Sequence, residues 1–412
     1  MDKLTDYCID CGLKFVYGLG PTEKDAFQDC SRKKRLTPSG PSRSMTHFDL
    51  PCRECLVAPA EVTGSDGPIC SVCDRKIKAC GTAYLKWPDD IFHPHDQDNF
   101  IFDTEGDLER EQNRLAVVCM DGNRLGSKIP RVRKPDETLD DFENRKKEFS
   151  KIVEKNVLGP AISEAYKEYF EHKTNKKGKV FFRPLVLGGD DFIAIMDPAK
   201  SLDFCILACR EFNELSRKHP GHFDKDGITI SAGIAITHRG YPLARAIKLA
   251  EELLKNAKDS CPDGSEARID FDLVLDSALQ DMDGRKKLRQ VKSDNLIFNL
   301  TYRPMAPESL ERYISSSEEL VGFKKMGRSQ IKSLTNMMLQ GRLRSTFLIS
   351  RLLLHHDDDN GSLANILLTQ DGQVWEEKVK DMEYISKIPD LQLIYEIRSN
   401  IRRAQHNDQY IV

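Results

Sequence analysis

Two apolar runs, 179–187 and 192–196, are joined by Gly188-Gly189-Asp190-Asp191. Strand-like runs with a glycine-led connection predict a β-hairpin, and this one carries adjacent acids at its tip. A two-stranded hairpin is not stable alone, so it needs further strands beside it. A third acid ends another apolar run. Leu115-Ala116-Val117-Val118-Cys119-Met120 reads as a strand buried on both faces, and Asp121 follows it immediately. A charged residue there projects from the strand end. If the two strands are neighbours in a sheet, Asp121, Asp190 and Asp191 meet. Taken alone, Gly-Gly-Asp-Asp is an ordinary acidic turn; the strand-end Asp121 and the βαβ pattern that follows favour a built site.

The surrounding segment, 111–275, alternates strand and helix patterns. A charged helix pattern covers 139–158, breaks at Gly159-Pro160, and restarts with Pro160 in its first turn. A helix is expected over 201–217 and a strand over 228–236, with Gly233 inside it. Leu243, Ala246, Ile247, Ala250, Leu253, Leu254 and Ala257 then follow the three-and-four spacing of one apolar helix face. A strand over 269–275 closes the unit. The order βα(α)ββαβαβ predicts an α+β fold, a split βαβ sheet with helices on one face. Four regions are expected: a cysteine-rich region over 1–90, a polar connector over 91–110 containing His93, His95 and Asp96, the α/β domain over 111–282, and a mainly helical domain over 283–412. In the last, Leu343, Phe347, Leu348, Arg351, Leu352 and His355 recur at helical spacing, as do Ile394, Ile397 and Ile401.

Composition excludes some classes. A net charge of -3 over 412 residues is not that of a basic nucleic-acid-coating protein, so a nucleotide site must be a local basic patch. No run of 18 apolar residues predicts a membrane span. The start, Met1-Asp2-Lys3-Leu4-Thr5-Asp6, lacks the apolar core of a signal peptide, and a cytoplasmic protein is expected.

Eight of the 12 cysteines fall within the first 80 residues, which argues for metal rather than disulfides in a reducing compartment. Cys52-x2-Cys55 and Cys70-x2-Cys73 form two knuckles 14 residues apart, with a turn at Asp66-Gly67-Pro68. This spacing predicts a zinc ribbon with one closed, structural four-thiolate Zn²⁺ site. Cys8-x2-Cys11 is a third knuckle. It either holds a second zinc, with Cys30, Cys80 or His47, or stays as reduced thiols. The neighbouring Arg32-Lys33-Lys34-Arg35 reads as a solvated loop rather than a phosphate site.

Three converging carboxylates at a sheet edge suit phosphoryl transfer. Two divalent ions, Mg²⁺ or Mn²⁺, support the attacking oxygen and the leaving pyrophosphate and take carboxylate and carbonyl ligands. Val118-Cys119-Met120-Asp121-Gly122-Asn123-Arg124-Leu125-Gly126, Leu187-Gly188-Gly189-Asp190-Asp191-Phe192, Ile230-Ser231-Ala232-Gly233-Ile234-Ala235 and the helix around Glu251 to Lys258 occur in one order. Together these blocks resemble the GGDD palm of the large subunit of type III CRISPR complexes. They are also similar to minimal CRISPR polymerases and, more distantly, to GGDEF diguanylate cyclases. The resemblance covers about 111–275. Asn299-Leu300-Thr301-Tyr302-Arg303-Pro304 resembles a segment that follows such palms, and the ribbon resembles those that accompany them.

The resemblance implies a ferredoxin-like palm and a ribose hydroxyl attacking an α-phosphate, with pyrophosphate released. Carried over by position, Asp121, Asp190 and Asp191 hold the metal ions, with the Gly122 carbonyl as a further ligand. Lys258 then contacts phosphate or is a solvated helix lysine. Asn123 and Ser231 are candidates for ribose or base, and Gly188 and Gly189 for the substrate-facing turn. The motif is GGDD and not GGDEF, which argues against a dedicated cyclic di-GMP synthase. His356-Asp357 has no partner histidines at useful spacing and reads as a solvated loop.

The function expected is a metal-dependent synthase of a cyclic oligo- or dinucleotide messenger from nucleoside triphosphates, ATP foremost, in antiviral defence. It is expected to act as a homodimer, because the sequence carries one such hairpin. The alternatives are an RNA-binding subunit of a CRISPR-like complex, with RNA or another regulatory ligand, and a nucleotide-binding palm without turnover.

Overall fold

The structure, a computed structural model, describes residues 50–53, 59–64, 67–82, 91–92, 100, 114–128, 138–171, 178–219, 223, 225–274, 282–293, 296–322, 328–356, 362–378 and 383–398. Cys8, Cys11, Cys30, His47, Cys55, the basic run 32–35, His93, His95, Asp96, Asp357 and Ile401 lie outside these residues. The chain divides into two compact units, 1–86 and 87–412. Among the described residues, no helix is long and apolar enough to cross a membrane.

In the first unit, β1 (Val62–Gly64) and β2 (Gly67–Ile69) pair antiparallel and lead into α1 (Ser71–Thr82). Gly67 opens β2 at φ +134°, a region open to glycine and closed to most side chains.

The second unit is built on a five-stranded sheet. Its central strand is β3 (Arg114–Gly122), and residues 115–120 are all buried. On one side β3 pairs antiparallel with β5 (Asp191–Met196), and β4 (Phe182–Gly188) lies beyond β5. On the other side it pairs antiparallel with β6 (Ile230–His238), which runs parallel to β7 (Ile269–Leu273). The order is β4-β5-β3-β6-β7. The strand bearing Asp121 and the hairpin bearing Asp190 and Asp191 are therefore neighbours, as the motif required.

After β3 come a short α2 (Leu125–Lys128) and α3 (Leu139–Ile152), which Thr138 caps by accepting from the Asp141 N–H at 3.1 Å. The helix does not break at Gly159-Pro160. It passes through a π-turn, Val153–Leu158, into α4 (Gly159–Tyr169). Pro160 has no N–H to give the carbonyl four residues back, and the wider turn absorbs that loss. Glycine is required at 159, because a Cβ would stand 2.9 Å from the Glu154 carbonyl oxygen. α5 (Pro198–Arg217) starts with Asp197 accepting from the Ala199 N–H at 3.0 Å, with proline in the first turn.

The palm-like α+β architecture is present, with one correction: helices cover both faces of the sheet and not one. Ala116, Val118 and Met120 pack with Ala161, Ile162, Leu202, Phe204 and Phe212 of α4 and α5. Leu115, Val117 and Cys119 face Ala246, Leu249, Ala250 and Leu253 of α6 (Leu243–Asp259). A strand apolar at every position needs cover on both sides, so the sequence of β3 already demanded this. Helix α6 lies very close to β6. A Cβ on Gly233 would fall 2.1 Å from the Ala250 carbonyl oxygen and 2.3 Å from the Leu254 nitrogen.

The C-terminal part is not only helical. After α7 (Met282–Leu288), strands β8 (Gln290–Ser293) and β9 (Leu296–Asn299) join β10 (Glu376–Lys378) and β11 (Glu383–Ile385) in a sheet of order β10-β11-β9-β8. Helices α8 (Pro307–Gly322), α9 (Arg328–Met338), α10 (Arg342–His356), α11 (Ser362–Leu367) and α12 (Ile388–Arg398) pack around a core that includes Phe298, Leu334, Trp375 and Tyr395. Buried ion pairs join this part to the palm. Arg303, held by Asp390 at 3.0 Å, reaches Asp272 of β7 at 3.7 Å, and Arg285 pairs with Asp272 at 2.7 Å.

Candidate active site

The turn joining β4 and β5 consists of Gly189 and Asp190, with Gly188 and Asp191 paired across it. Gly189 takes φ +64°, the positive value that the first position of a tight hairpin turn demands. A Cβ on Gly188 or Gly189 would meet nothing within 4 Å, so the tip is open on that side. Asp121 is the penultimate residue of β3 and sits opposite Ser231 of β6. Gly122 must be glycine, because a Cβ there would lie 2.0 Å from Leu125 Cδ1 and 3.2 Å from Asp190 Cβ. The end of β3 thus presses against the hairpin tip.

Burial, then a side-chain hydrogen bond to Asp121, then the charges of Asp121 and Asp191 push the Asp190 pKa up to about 6. Burial and the charge of Asp121 also raise Asp191, with Lys258 acting the other way. Lys258, in the last turn of α6, donates to the Asp121 carboxylate and, at 2.8 Å, to the Gly122 carbonyl oxygen. The helix end that carries it is tied down by Asn256, whose amide donates to Asp270 of β7 at 2.7 Å. Burial, then the charges of Glu251 and Asp191, raise the Cys119 thiol pKa to about 12, which leaves it a neutral part of the core.

This donor set fits a divalent cation. A carboxyl group whose pKa neighbouring acids raise, and an ammonium drawn onto a carboxylate and a carbonyl, mark a place where positive charge is stabilised by hard oxygen ligands. Asp191 stands farther out and acts on Asp121 and Asp190 through its charge.

Two sequence candidates are not brought into this group. Ser231 is wholly buried, and its hydroxyl accepts the Arg268 N–H at 3.2 Å. Asn123 is buried too, its amide donating to Thr229 Oγ1 at 2.7 Å and its N–H to the Thr229 carbonyl at 2.8 Å. Both hold the sheet end together. The anchoring of α6 through Asn256 and Asp270 went unread in the sequence. Its signal is the acid at 270 inside an apolar strand, which must find a partner when buried.

In the first unit, the sulfurs of Cys52, Cys70 and Cys73 lie within 4.8 Å of one another, and no other set of three or more such ligands does so among the described residues. The Cys73 N–H points at Cys70 Sγ at 3.4 Å. Three converging thiols, from Cys52 ahead of β1, Cys70 just after β2 and Cys73 in α1, fit a tetrahedral thiolate site.

Residues 114–264 match the family described as the second palm domain of Cas10/Cmr2. No curated protein matches the chain. Among solved structures, a Csm1–Csm4 cassette in complex with cA4 is similar at 14% identity and a TM-score of 0.45, over 73% of this chain and 39% of that one. Csm1 of T. onnurineus is similar at 15% identity and a TM-score of 0.39, over 70% and 37%. The GGEEF domain of a diguanylate cyclase from Vibrio cholerae is similar at 13% identity and a TM-score of 0.26, over 39% and 85%. The chain therefore spans about two fifths of the Csm1 chains it resembles. The segment that brings Asp121, Asp190 and Lys258 together is the one that matches the second palm domain of Cas10/Cmr2.

Proposed function

We propose that this protein is a divalent-metal-dependent nucleotidyltransferase that joins nucleoside triphosphates, ATP foremost, into a cyclic oligo- or dinucleotide used in antiviral defence. The observation that carries the reading is the meeting of Asp121, at the end of β3, with Asp190, in the turn of the neighbouring hairpin, with Lys258 beside them. In the reaction, a ribose hydroxyl oxygen of one nucleotide bonds to the α-phosphorus of another. The bond from that phosphorus to the β-phosphate oxygen breaks, pyrophosphate leaves, and the hydroxyl proton passes to solvent.

Asp121, Asp190, Asp191 and the Gly122 carbonyl would hold Mg²⁺ or Mn²⁺, which neutralises charge on the triphosphate when bound. Lys258 then turns its ammonium toward phosphate. The open side of Gly188 and Gly189 leaves room for the triphosphate against the hairpin. The palm match supports the assignment of this chemistry to 114–264. We assign Cys52, Cys70 and Cys73, with Cys55, to a structural Zn²⁺ that takes no part in the reaction.

The test is incubation of the full chain with each nucleoside triphosphate and Mg²⁺, with products separated by mass. Pyrophosphate and a cyclic product are expected from the wild type and neither from Asp190→Ala/Asp191→Ala. Equal turnover by that double variant overturns the site, and absence of any product from the wild type overturns the activity.

A further inference from the structure

A cleft of about 470 Å³ opens between the edge of the palm sheet and the C-terminal part of the same unit. Its size falls in the range of about 300–1,000 Å³ usual for small-molecule sites. None of the candidate catalytic acids lines it. Met305, on its wall, pairs with Ile269 as an extra bridge beside β7.

Its lining sets cations and aromatic rings beside two carboxylates, Glu376 and Asp371, and smaller polar and apolar residues. Arg268, Arg312 and Lys387 bring positive charge. Arg312 donates to Ser309 Oγ at 3.1 Å, and Lys387 to the Asn365 carbonyl oxygen at 3.3 Å. Among the described residues neither makes an ion pair with a carboxylate. Burial lowers the Lys387 pKa. Arg268 gives one amine to Glu266 at 2.6 Å, while its buried Nε has no partner. Tyr302 and Tyr313 bring two rings 6.2 Å apart. Glu376, bonded to the Tyr302 hydroxyl, brings an acceptor.

We propose that this cleft is a second nucleotide site, taking a nucleoside phosphate with its phosphate on Arg312 and Lys387 and its base against Tyr313. Cations alone would suit any anion. The rings add a surface for a planar base, and Glu376 an acceptor for ribose hydroxyls or a base amine. Its floor is wired to the catalytic strand. The Arg268 N–H bonds Ser231, and the Arg268 carbonyl accepts the Ala232 N–H at 2.9 Å; Ser231 sits opposite Asp121. Occupancy is thereby placed to report to the acids through β6.

The proposal is independent of turnover and is tested without metal. Fluorescently labelled ATP is titrated into the full chain in EDTA, followed by polarisation. Binding is expected, retained in Asp190→Ala/Asp191→Ala and weakened roughly tenfold or more in Arg312→Gln/Lys387→Met, the loss that removing charge-assisted phosphate contacts produces. Unlabelled AMP should displace the probe better than adenosine or inorganic phosphate alone. Thermal unfolding checks each variant. If the double variant does not fold, Arg312→Gln alone, at an exposed helix position, replaces it with a smaller loss expected in the same direction. Absence of binding in EDTA, unchanged binding in a folded Arg312 variant, loss of binding in Asp190→Ala/Asp191→Ala, or displacement by phosphate as good as by AMP overturns the assignment.

Discussion

The ammonium of Lys258 bridges Asp121 and Gly122, donating to the carboxylate of one and, at 2.8 Å, to the carbonyl oxygen of the other. These are the oxygens the proposed site offers to a divalent ion. On the proposed function, metal and Lys258 would compete for one place, and nucleotide would resolve the contest by giving the lysine a phosphate. Lys258→Met should bind Mn²⁺ a few-fold more tightly without nucleotide, on the order of 1 kcal/mol for a partly exposed pair. The same variant should lose at least roughly tenfold in turnover, a cost of about 1.4 kcal/mol in the transition state. Electron paramagnetic resonance titration of free Mn²⁺ reads the first effect. Unchanged or weaker Mn²⁺ binding by the variant would sink the idea of competition.

The raised pKa of Asp190 has a stability signature. Burial and its neighbouring acids push its carboxyl up to about 6 in the folded chain, against 3.8 for an ordinary aspartate. Between those values the folded state binds more protons than the unfolded one, so this group's stabilising contribution is present at low pH and lost as pH rises from about 4 to about 6. Asn at 190 cannot lose a proton. In EDTA, Asp190→Asn should gain on the wild type in melting temperature across that window, and the gain should level off above about pH 6.5. A difference that stays constant with pH would show that Asp190 carries no raised pKa.

Much of the palm was legible because its signals are local. Alternation and apolar runs marked the strands, Gly188 and Gly189 marked the turn, and the three-and-four spacing from Leu243 to Ala257 marked α6. The pairing of β3 with β5 followed from where the acids had to meet. Other features were not local. Helix cover on both faces was implied by the unbroken burial of 115–120, yet the element order alone suggested one face. The sheet of β8 to β11 was missed because its strands have three or four residues each, too short to show a period, and β9 pairs with β11 across 83 intervening residues. Their positions in the motifs make Ser231 and Asn123 candidates for ribose or base. Both are buried, bonded to Arg268 and Thr229, which no spacing rule connects to them.

The thiol cluster predicts metal in the purified protein. Elemental analysis of chain prepared without chelator should give one zinc per first unit, with a second only if the third knuckle is also a site. Cys70→Ser should lose the first zinc and destabilise the first unit, because a structural zinc contributes folding energy directly. Turnover at the palm should fall less than the melting temperature does. Zinc-free wild-type protein with an unchanged melting curve would remove the assignment.

Assembly follows from the count of sites. Ring closure between two nucleotides needs two triphosphates, each hydroxyl facing the other's α-phosphate, and this sequence carries one Gly-Gly-Asp-Asp. A two-fold homodimer with the hairpins facing across the axis would supply both, and bound nucleotide would strengthen it by bridging the halves. At dilute concentrations the rate should rise with the square of protein concentration. A rate proportional to concentration, with a monomer mass by light scattering in saturating nucleotide, would exclude this arrangement.

The last prediction separates two glycines that the motifs treat alike. At Gly233 an added methyl would stand 2.1 Å from the Ala250 carbonyl oxygen and 2.3 Å from the Leu254 nitrogen, both backbone atoms of α6. Neither can swing aside as a side chain would, so the helix itself must move off β6. Overpacking of this kind costs about 1–3 kcal/mol. The displaced helix carries Lys258 at its far end, so Gly233→Ala should lose turnover as well as stability, even where it remains folded. Gly188, in the acidic hairpin, has nothing within 4 Å of its added methyl. Gly188→Ala should therefore keep its stability within about 0.5 kcal/mol of wild type. If it loses activity at unchanged stability, the lost space is space the substrate uses. Circular dichroism melts of both variants, beside product formation, distinguish these outcomes. An unshifted melt for Gly233→Ala would mean that α6 and β6 are not packed as closely as described.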